Sequence, residues 1–481
     1  MVSLKLVERG IGLISTVALA RLLAPADFGL VAMALTIIAL LELMGAFGFD
    51  TTLVQHPDAQ RHHFDTAWTF NLLFGLAIAI LLVALAHPSA QFYTEPRLVA
   101  VMYCMALGSV LGGLQNIGVV AFRRQLEFHR EFGFQLGRRL ASFFMTVGLA
   151  FLLRSYWALV LGTLFAQMVS VLLSYFVHPY RPRLSLAGRH DLFHFSRWLL
   201  INNIIGFVNN KSADFIIGKL GGAVSLGLYS VAYQISSLPT TELVAPINRA
   251  VFPGYSRLAG DLGELRTSFL NVISMIALFA LPAGIGIALV ADLLVPTILG
   301  WKWLAAIPLI QVLAIYGVVV ALQTNIVYVY MAVGEPRLVT YIAGVQLVLL
   351  LLFLVPATWQ YGALGAAWAF LGTVILMVPV NQLLIARRLN ISVYEFAAKL
   401  RRPFLACVAM GVAIHAVKGM LGPDQQMAAL VSALAACVAI GALVYSLALY
   451  SLWRIAGRPD GAERFCLSRV EEALAGLRTR I

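Results

Sequence analysis

Seven ionisable side chains stand inside stretches of otherwise apolar sequence: Glu42, Arg138, Arg139, Lys211, Asp214, Glu242 and Arg249. In hydrocarbon a charge costs about 2.5–3.5 kcal/mol on insertion scales, so each needs a purpose or an escape route. Lys211 and Asp214 are spaced i, i+3, which puts them on one helix face within pairing distance. They sit among Asn202, Asn203, Asn209 and Asn210, a polar face hard to explain in lipid. Two readings stand side by side: a structural ion pair bridging helices, or a cation facing water with a carboxylate tuning it. Arg138 and Arg139 are adjacent, so they point about 100° apart and at most one can face a lumen. The competing reading is that both snorkel to the interface. Glu242 follows Pro239, where a kink is expected; it would relay a proton or ion, or partner Lys211 or Arg249. Glu42 is a lone carboxylate suited to ion coupling. Arg9 and Arg197 lie near the ends of their apolar runs.

Motifs for covalent or nucleotide chemistry are missing. There is no GxxxxGK[ST], so ATP is not held through a P-loop, and there is no HExxH. The four cysteines, Cys104, Cys407, Cys437 and Cys466, form no CxxC and read as reduced apolar fillers. His62, His63 and Asp65 cluster, but a solvated loop is the favoured reading over a metal site. The Gly108–Gly113 stretch suits helix packing. The chain is therefore not expected to be an enzyme or to carry a cofactor. Membrane potential or an H⁺ or Na⁺ gradient would drive any work it does.

The elements that must position these groups follow from composition. Of 481 residues, 61% are hydrophobic and 12% charged. A mean hydropathy of +0.88 points the same way. A soluble globule or a disordered chain is excluded, and a polytopic membrane protein remains. A spanning helix needs about 20 apolar residues; fourteen such runs can be counted, from 4–22 to 428–452. A β-barrel would show shorter segments of alternating polarity. With the N-terminus in the cytoplasm, twenty-one Lys and Arg fall in inner loops or the C-terminal tail and six lie outside. That bias sets both termini in the cytoplasm and supports an even span count. Most of the net charge of +12 then serves topology, and no nucleic-acid partner is implied. Lys5, Arg9 and Ala18-Leu19-Ala20 resemble a signal peptide, yet the repeat described next requires this segment to stay.

Arg21-Leu22, Gly29-Leu30 and Ala34 recur as Lys219-Leu220, Gly227-Leu228 and Ala232, 198 residues later. Tyr156-x-Ala158-Leu159 recurs as Tyr361-x-Ala363-Leu364 at an offset of 205. Six spans separate the copies, so this is a parallel repeat. Glu95-Pro96-Arg97-Leu98-Val99 recurs as Glu335-Pro336-Arg337-Leu338-Val339, but its offset of 240 puts it on the opposite membrane side. It reads as coincidence. The expected layout is an N-lobe of six helices (1–195), a C-lobe of six (196–390), two further helices (391–452) and a cytoplasmic tail (453–481). Leu467, Val470, Leu474, Leu477 and Ile481, with Arg464, Arg469, Arg478 and Arg480, give the tail the pattern of a basic amphipathic helix on the membrane surface. A frayed soluble tail is the alternative. Residues 391–402 have a similar interfacial character.

A resemblance sharpens this. Ala20-Arg21-Leu22-Leu23-Ala24-Pro25-Ala26-Asp27-Phe28-Gly29-Leu30-Val31-Ala32 resembles the first hairpin of bacterial oligosaccharide flippases. These form the polysaccharide transport family, which includes Wzx-type O-antigen and exopolysaccharide flippases. Tyr156-Trp157-Ala158-Leu159-Val160, Ile217-Gly218-Lys219-Leu220, Leu226-Gly227-Leu228-Tyr229-Ser230-Val231-Ala232 and Phe252-Pro253-Gly254-Tyr255-Ser256-Arg257 look like later signatures of that family, in order. The resemblance implies the all-α fold of the multidrug/oligosaccharidyl-lipid/polysaccharide exporters, two pseudo-symmetric six-helix lobes around a central lumen. It implies an inner-membrane flippase for undecaprenyl-diphosphate-linked oligosaccharide in lipopolysaccharide O-antigen or exopolysaccharide synthesis, working among membrane lipids. A polysaccharide polymerase and a chain-length regulator are the implied partner proteins.

The lumen of such relatives is cationic. By position, Arg9, Arg138 or Arg139, Lys211 and Arg249 would supply that charge here, with Glu42, Asp214 and Glu242 coupling an ion or tuning charge. Only Arg21, Gly29, Lys219 and Gly227 lie inside matched motifs. A multidrug/cation antiporter of the same superfamily would favour acidic lumenal groups, and more bases than acids stand within these spans. A polymerase or ligase would need a large external loop, and the longest external segments, 88–97 and 291–302, are short. A non-transporting scaffold for sugar assembly is a further rival.

Overall fold

The computed structural model describes residues 2–43, 49, 53–54, 60–187, 197–420, 426–459, 461–466 and 468. Among them there is no strand. The principal helices are α1 (Val2–Leu22), α2 (Pro25–Glu42), α3 (Arg61–Tyr93), α4 (Arg97–Gly113), α5 (Phe128–Leu153), α6 (Trp157–Val177), α7 (Arg197–Ser236), α8 (Ala245–Leu258), α9 (Leu262–Leu294), α10 (Ile307–Ala332), α11 (Pro336–Leu389), α12 (Val393–Met420) and α13 (Met427–Ile455). The chain is a multi-pass membrane protein.

Ten helices among the described residues are long and apolar enough to cross a bilayer, or eleven if the bent pair Arg97–Gly113 and Ile117–Arg124 counts as one span. The expectation was fourteen. Part of the difference lies in two very long helices. The 40-residue α7 breaks at Gly222 (φ 70°, ψ −175°) and the 54-residue α11 at Gly362 (φ 60°, ψ −142°). Residues eight apart in a straight helix are about 12 Å apart. A Cβ on Gly365, however, would lie 1.9 Å from the carbonyl oxygen of Ala357, and one on Gly218 would lie 3.4 Å from the Leu226 side chain. The chain therefore doubles back at each glycine. Four expected spans make two hairpins whose turns are single residues in backbone conformations that only glycine adopts readily.

Contacts group the chain into two compact units, Met1–Ser230 and Val231–Ile481. The first half of α7 thus belongs with α1–α6. In this unit Leu19, Leu23, Ala150 and Ala158 form one buried cluster, and Phe49, Leu53, Trp68 and Ile117 another. In the second unit Tyr255, Leu265, Phe269, Ile326, Tyr330 and Ile385 pack α8–α11 together. Ala277, Ala406, Met410, Cys437 and Tyr445 join α9 to α12 and α13.

The repeat glycines meet each other. A Cβ on Gly29 would fall 1.7 Å from the Ala223 carbonyl oxygen, and one on Gly227 would fall 1.8 Å from that of Pro25. Adding the repeat offset of 198 to 25 and 29 gives 223 and 227. The contact therefore maps onto itself, as in an isologous interface. Backbones touch here because each side brings a glycine, which has no side chain to hold the helices apart.

The Glu-Pro-Arg-Leu-Val recurrence has a local cause. Each copy follows a left-handed residue, Thr94 (φ 56°) or Gly334 (φ 77°). In each, the Glu N–H reaches back five residues at 2.9 Å, from Glu95 to Ala90 and from Glu335 to Tyr330. Both are the same C-cap turn followed by Pro at the start of the next helix.

His63 and Asp65 correct an expectation. They are buried in the first turn of α3 rather than solvated in a loop. His63 Nδ1 accepts from the Gln60 N–H at 3.0 Å, which starts the helix. Asp65 accepts from the Tyr180 hydroxyl and from the Arg183 N–H at 2.9 Å. Ser185 N–H donates to Thr69 Oγ1 at 3.0 Å, and Asn116 Nδ2 to the Tyr180 carbonyl at 2.7 Å. The extended segment after α6 is thereby strapped along the start of α3. Burial, then the bond to Asp65, pushes the Tyr180 phenol well above its usual range. Burial first, then the Arg130 charge, pulls the His178 imidazole down.

Candidate functional site

Lys211 and Asp214 lie in the first half of α7 and pair as their spacing predicts, Nζ to Oδ2 at 2.7 Å. The Asp214 side chain is 13% exposed and that of Lys211 37%. The carboxylate is thus the buried anchor and the ammonium the accessible end. Thr36 of α2 is fully buried. Its hydroxyl donates to its own Ala32 carbonyl at 2.7 Å and stands 3.4 Å from Asp214 Oδ2. One turn beyond Asp214, Gly218 leaves room for Tyr93 at the end of α3: a Cβ there would meet the ring at 2.7 Å. Tyr93 is buried, and its hydroxyl has no hydrogen-bond partner. The neighbouring Ser212 hydroxyl is likewise buried without one. Three elements of the first unit thus meet at a carboxylate that has unfilled polar neighbours.

The flanking amides do not extend this site. Asn209 Nδ2 donates to the Ile205 carbonyl at 3.1 Å and Asn210 Nδ2 to that of Gly206 at 2.8 Å. Both serve their own helix.

Arg138 and Arg139 are both exposed on α5. Arg139 reaches α1, where a Cβ on Gly12 would lie 2.5 Å from its Nη2. α5 therefore presents a guanidinium against the α1 face that carries Gly12. The side chain of Arg9 lies outside the described residues. Glu42 ends α2 and is exposed. In the second unit, Glu242 falls in a π-helical turn, Pro239–Val244, which is how the chain accommodates Pro239. Glu242 Oε1 accepts from Thr241 Oγ1 at 3.0 Å, and Arg249 is exposed on α8. Among the described residues, no group of three or more His, Cys, Asp or Glu could hold a metal ion.

Lys219 Nζ donates to the Phe92 carbonyl at 2.6 Å and stands 5.0 Å over the Phe92 ring. It caps the C-terminal end of α3, where a cation is favoured. Arg21 is exposed in the last turn of α1. Asp27 joins two helix starts, accepting from the Ala24 N–H at 2.8 Å and the Tyr156 N–H at 3.1 Å. In the Phe252–Arg257 signature, Tyr255 bonds Asn325 across α8 and α10 at 3.0 Å, both buried. Sequence reasoning missed Thr36 and Tyr93; neither carries a charge to mark it.

Relatives share the sequence over most of the chain. It is 26% identical over 402 residues to the teichuronic acid biosynthesis protein TuaB of Bacillus subtilis, covering 83% of each. It is 27% identical over 316 residues to the lipopolysaccharide biosynthesis protein WzxC of Escherichia coli, covering 64% of this chain and 63% of that one. The succinoglycan biosynthesis transport protein ExoT of Rhizobium meliloti is 26% identical over 327 residues, with 66% and 65% covered. Among solved structures, the lipid II flippase MurJ in an inward closed conformation superposes with a TM-score of 0.75 at 13% identity, over 95% of this chain and 99% of that one. An inward-facing multidrug MATE transporter gives 0.60 at 15% identity, over 80% and 94%. These two place the fold. The family described as "Polysaccharide biosynthesis protein" matches residues 18–308, more than half the chain. The chain belongs to the polysaccharide biosynthesis protein family.

Proposed function

We propose that this protein is a flippase that carries a polyprenyl-diphosphate-linked oligosaccharide across the bacterial inner membrane, with both termini in the cytoplasm. A headgroup of sugars and phosphates cannot cross hydrocarbon unaided. The protein must replace its hydration while the prenyl tail stays in lipid. The observation that carries this reading is Lys211, a half-exposed ammonium held in a membrane-spanning helix by a buried carboxylate. Its donors suit a phosphate, and Asp214 holds it in place when no substrate is present. Arg138 or Arg139 is the further cation that the first unit offers to the diphosphate. The names of TuaB, WzxC and ExoT support a role in exporting cell-surface polysaccharide.

Alternating access moves the substrate, and no catalytic step is required. When a phosphate takes Lys211, Asp214 is released to bind H⁺ or Na⁺, and Glu42 and Glu242 are further carboxylates for that cation. Moving one charge through 100 mV supplies about 2.3 kcal/mol. The test is translocation of lipid-linked oligosaccharide in reconstituted vesicles by Lys211→Ala combined with Arg138→Ala and Arg139→Ala. Loss of translocation at normal protein level is expected. Full activity of that triple variant overturns the cationic-site reading.

A further inference from the structure

A cavity of the second unit lies away from the charged residues discussed so far. It has a volume of about 830 Å³ and runs between α9, α12 and α13. Its walls are apolar, from Leu434 near the start of α13 to Trp453 near its end, with Pro282 and Ile414 opposite. That volume fits a lipid chain or a small ligand.

The polar end of the groove is specific. Tyr450 and Trp453 line it, with ring centroids 6.0 Å apart. Arg454 follows them, its guanidinium 5.7 Å over the Tyr450 ring, and is exposed. An aromatic pair beside a basic residue marks the headgroup level of a bilayer. After α13 the chain turns back through Gly457 (φ 81°) and Arg458 (φ 55°). The Trp453 indole N–H holds this return by donating to the Pro459 carbonyl at 3.1 Å. The return brings Glu463 into the groove wall. Glu463 is 4% exposed and is paired at 3.2 Å with Arg402 of α12. Oε1 faces Arg402 in that ion pair, and Oε2 has no hydrogen-bond partner. A buried carboxylate with an unfilled acceptor, at the end of an apolar groove, calls for a donor at the head of whatever fills it.

We propose that this groove binds one phospholipid with an ethanolamine head. Its ammonium donates to Glu463, its phosphate faces Arg454, and a chain fills the apolar walls. A headgroup with both charges satisfies both residues. A diphosphate would satisfy Arg454 but brings no donor to Glu463, and a phosphoglycerol head brings no cation. The lipid is a resident of the fold, separate from the transported substrate.

The experiment is native mass spectrometry of the full chain, extracted from vesicles of equal phosphatidylethanolamine and phosphatidylglycerol. Retention of the ethanolamine lipid is expected to exceed that of the glycerol lipid by about tenfold, the worth of one charge-assisted hydrogen bond. Glu463→Gln should bring the ratio close to one. Should that variant leave Arg402 unpaired and misfold, Arg402→Met with Glu463→Gln keeps the site neutral and should show the same loss. Ala442→Trp fills the groove without touching either charge and should remove the bound lipid. Equal retention of both lipids by the unaltered chain overturns the proposal. So does an unchanged ratio in the Glu463 variants, or a polyprenyl-diphosphate glycan as the species that Ala442→Trp expels.

Discussion

At the residue scale the site is an asymmetric ion pair. Asp214 is enclosed and Lys211 is half open, so the two are not interchangeable on deletion. Asp214→Ala leaves a half-exposed ammonium that can turn to solvent. Lys211→Ala leaves a buried carboxylate that has lost its counter-charge, which costs more, about 1–3 kcal/mol. Thermal unfolding in detergent should therefore rank Lys211→Ala as less stable than Asp214→Ala. The reverse order would mean that Asp214 has compensation elsewhere. The pair is legible in the sequence because a three-residue spacing is a local geometric fact. Thr36 is not: it lies 178 residues from Asp214 and looks like any threonine in an apolar helix. Tyr93 is hidden for the same reason, since only the fold brings it to Gly218.

A second residue-scale consequence concerns pH. His178 is held below its ordinary value of 6.5, chiefly by burial. The unfolded chain thus binds the proton more readily, and stability falls as pH drops below 6.5 towards the lowered value. Its ring nitrogen accepts from the Tyr180 N–H at 3.2 Å, so protonation also removes that bond. Hydrogen exchange of the Tyr180, Arg183 and Ser185 amides should lose protection as the pH falls below 6.5. His178→Phe should abolish that pH dependence. Unchanged protection over this range would show that the strap does not sense His178.

At the element scale, the helix breaks decide how the chain is drawn. The apolar runs on either side of residues 222 and 362 are visible in the sequence, but no polar loop separates them. Loops usually announce themselves by Asn, Asp, Ser or Pro; here a single glycine turns the chain. Gly222 and Gly362 have backbone angles that a Cβ resists, so Gly222→Val and Gly362→Val should each cost about 1–3 kcal/mol. Nothing within 4 Å opposes a side chain at either position, so the loss would come from backbone strain alone. Gly→Ala and Gly→Val should then destabilise to similar degrees. A much larger loss for Val would point to crowding instead. The repeated Glu-Pro-Arg-Leu-Val is the opposite case: its likeness is real at the level of a turn and carries no information about symmetry.

At the scale of the whole molecule, the offset of 198 residues proves to be a contact as well as a pattern. Gly29 and Gly227 act in one crossing, so substitutions there share a cause. Gly29→Val and Gly227→Val should each separate α2 from α7, and the double variant should lose less than the two single losses combined. Additive losses in thermal stability would show two independent contacts. The offset itself is legible in the sequence. The placement of the first half of α7 within the first compact unit is not, because it depends on Lys219 reaching Phe92 and on Asp214 reaching Thr36.

A self-matching crossing has a historical meaning. In the fused chain, Pro25 meets Gly227 and Ala223 meets Gly29. In a half-length ancestor those four positions would have been two, present once in each of two identical subunits. One glycine would then have served both sides of a symmetric dimer, and both halves would have inserted with the same orientation. Duplication and fusion would have kept the joint while freeing each side to diverge. The Lys211–Asp214 pair has Leu13 and Thr16 as its counterparts 198 residues earlier, so the two copies differ in charge at this point.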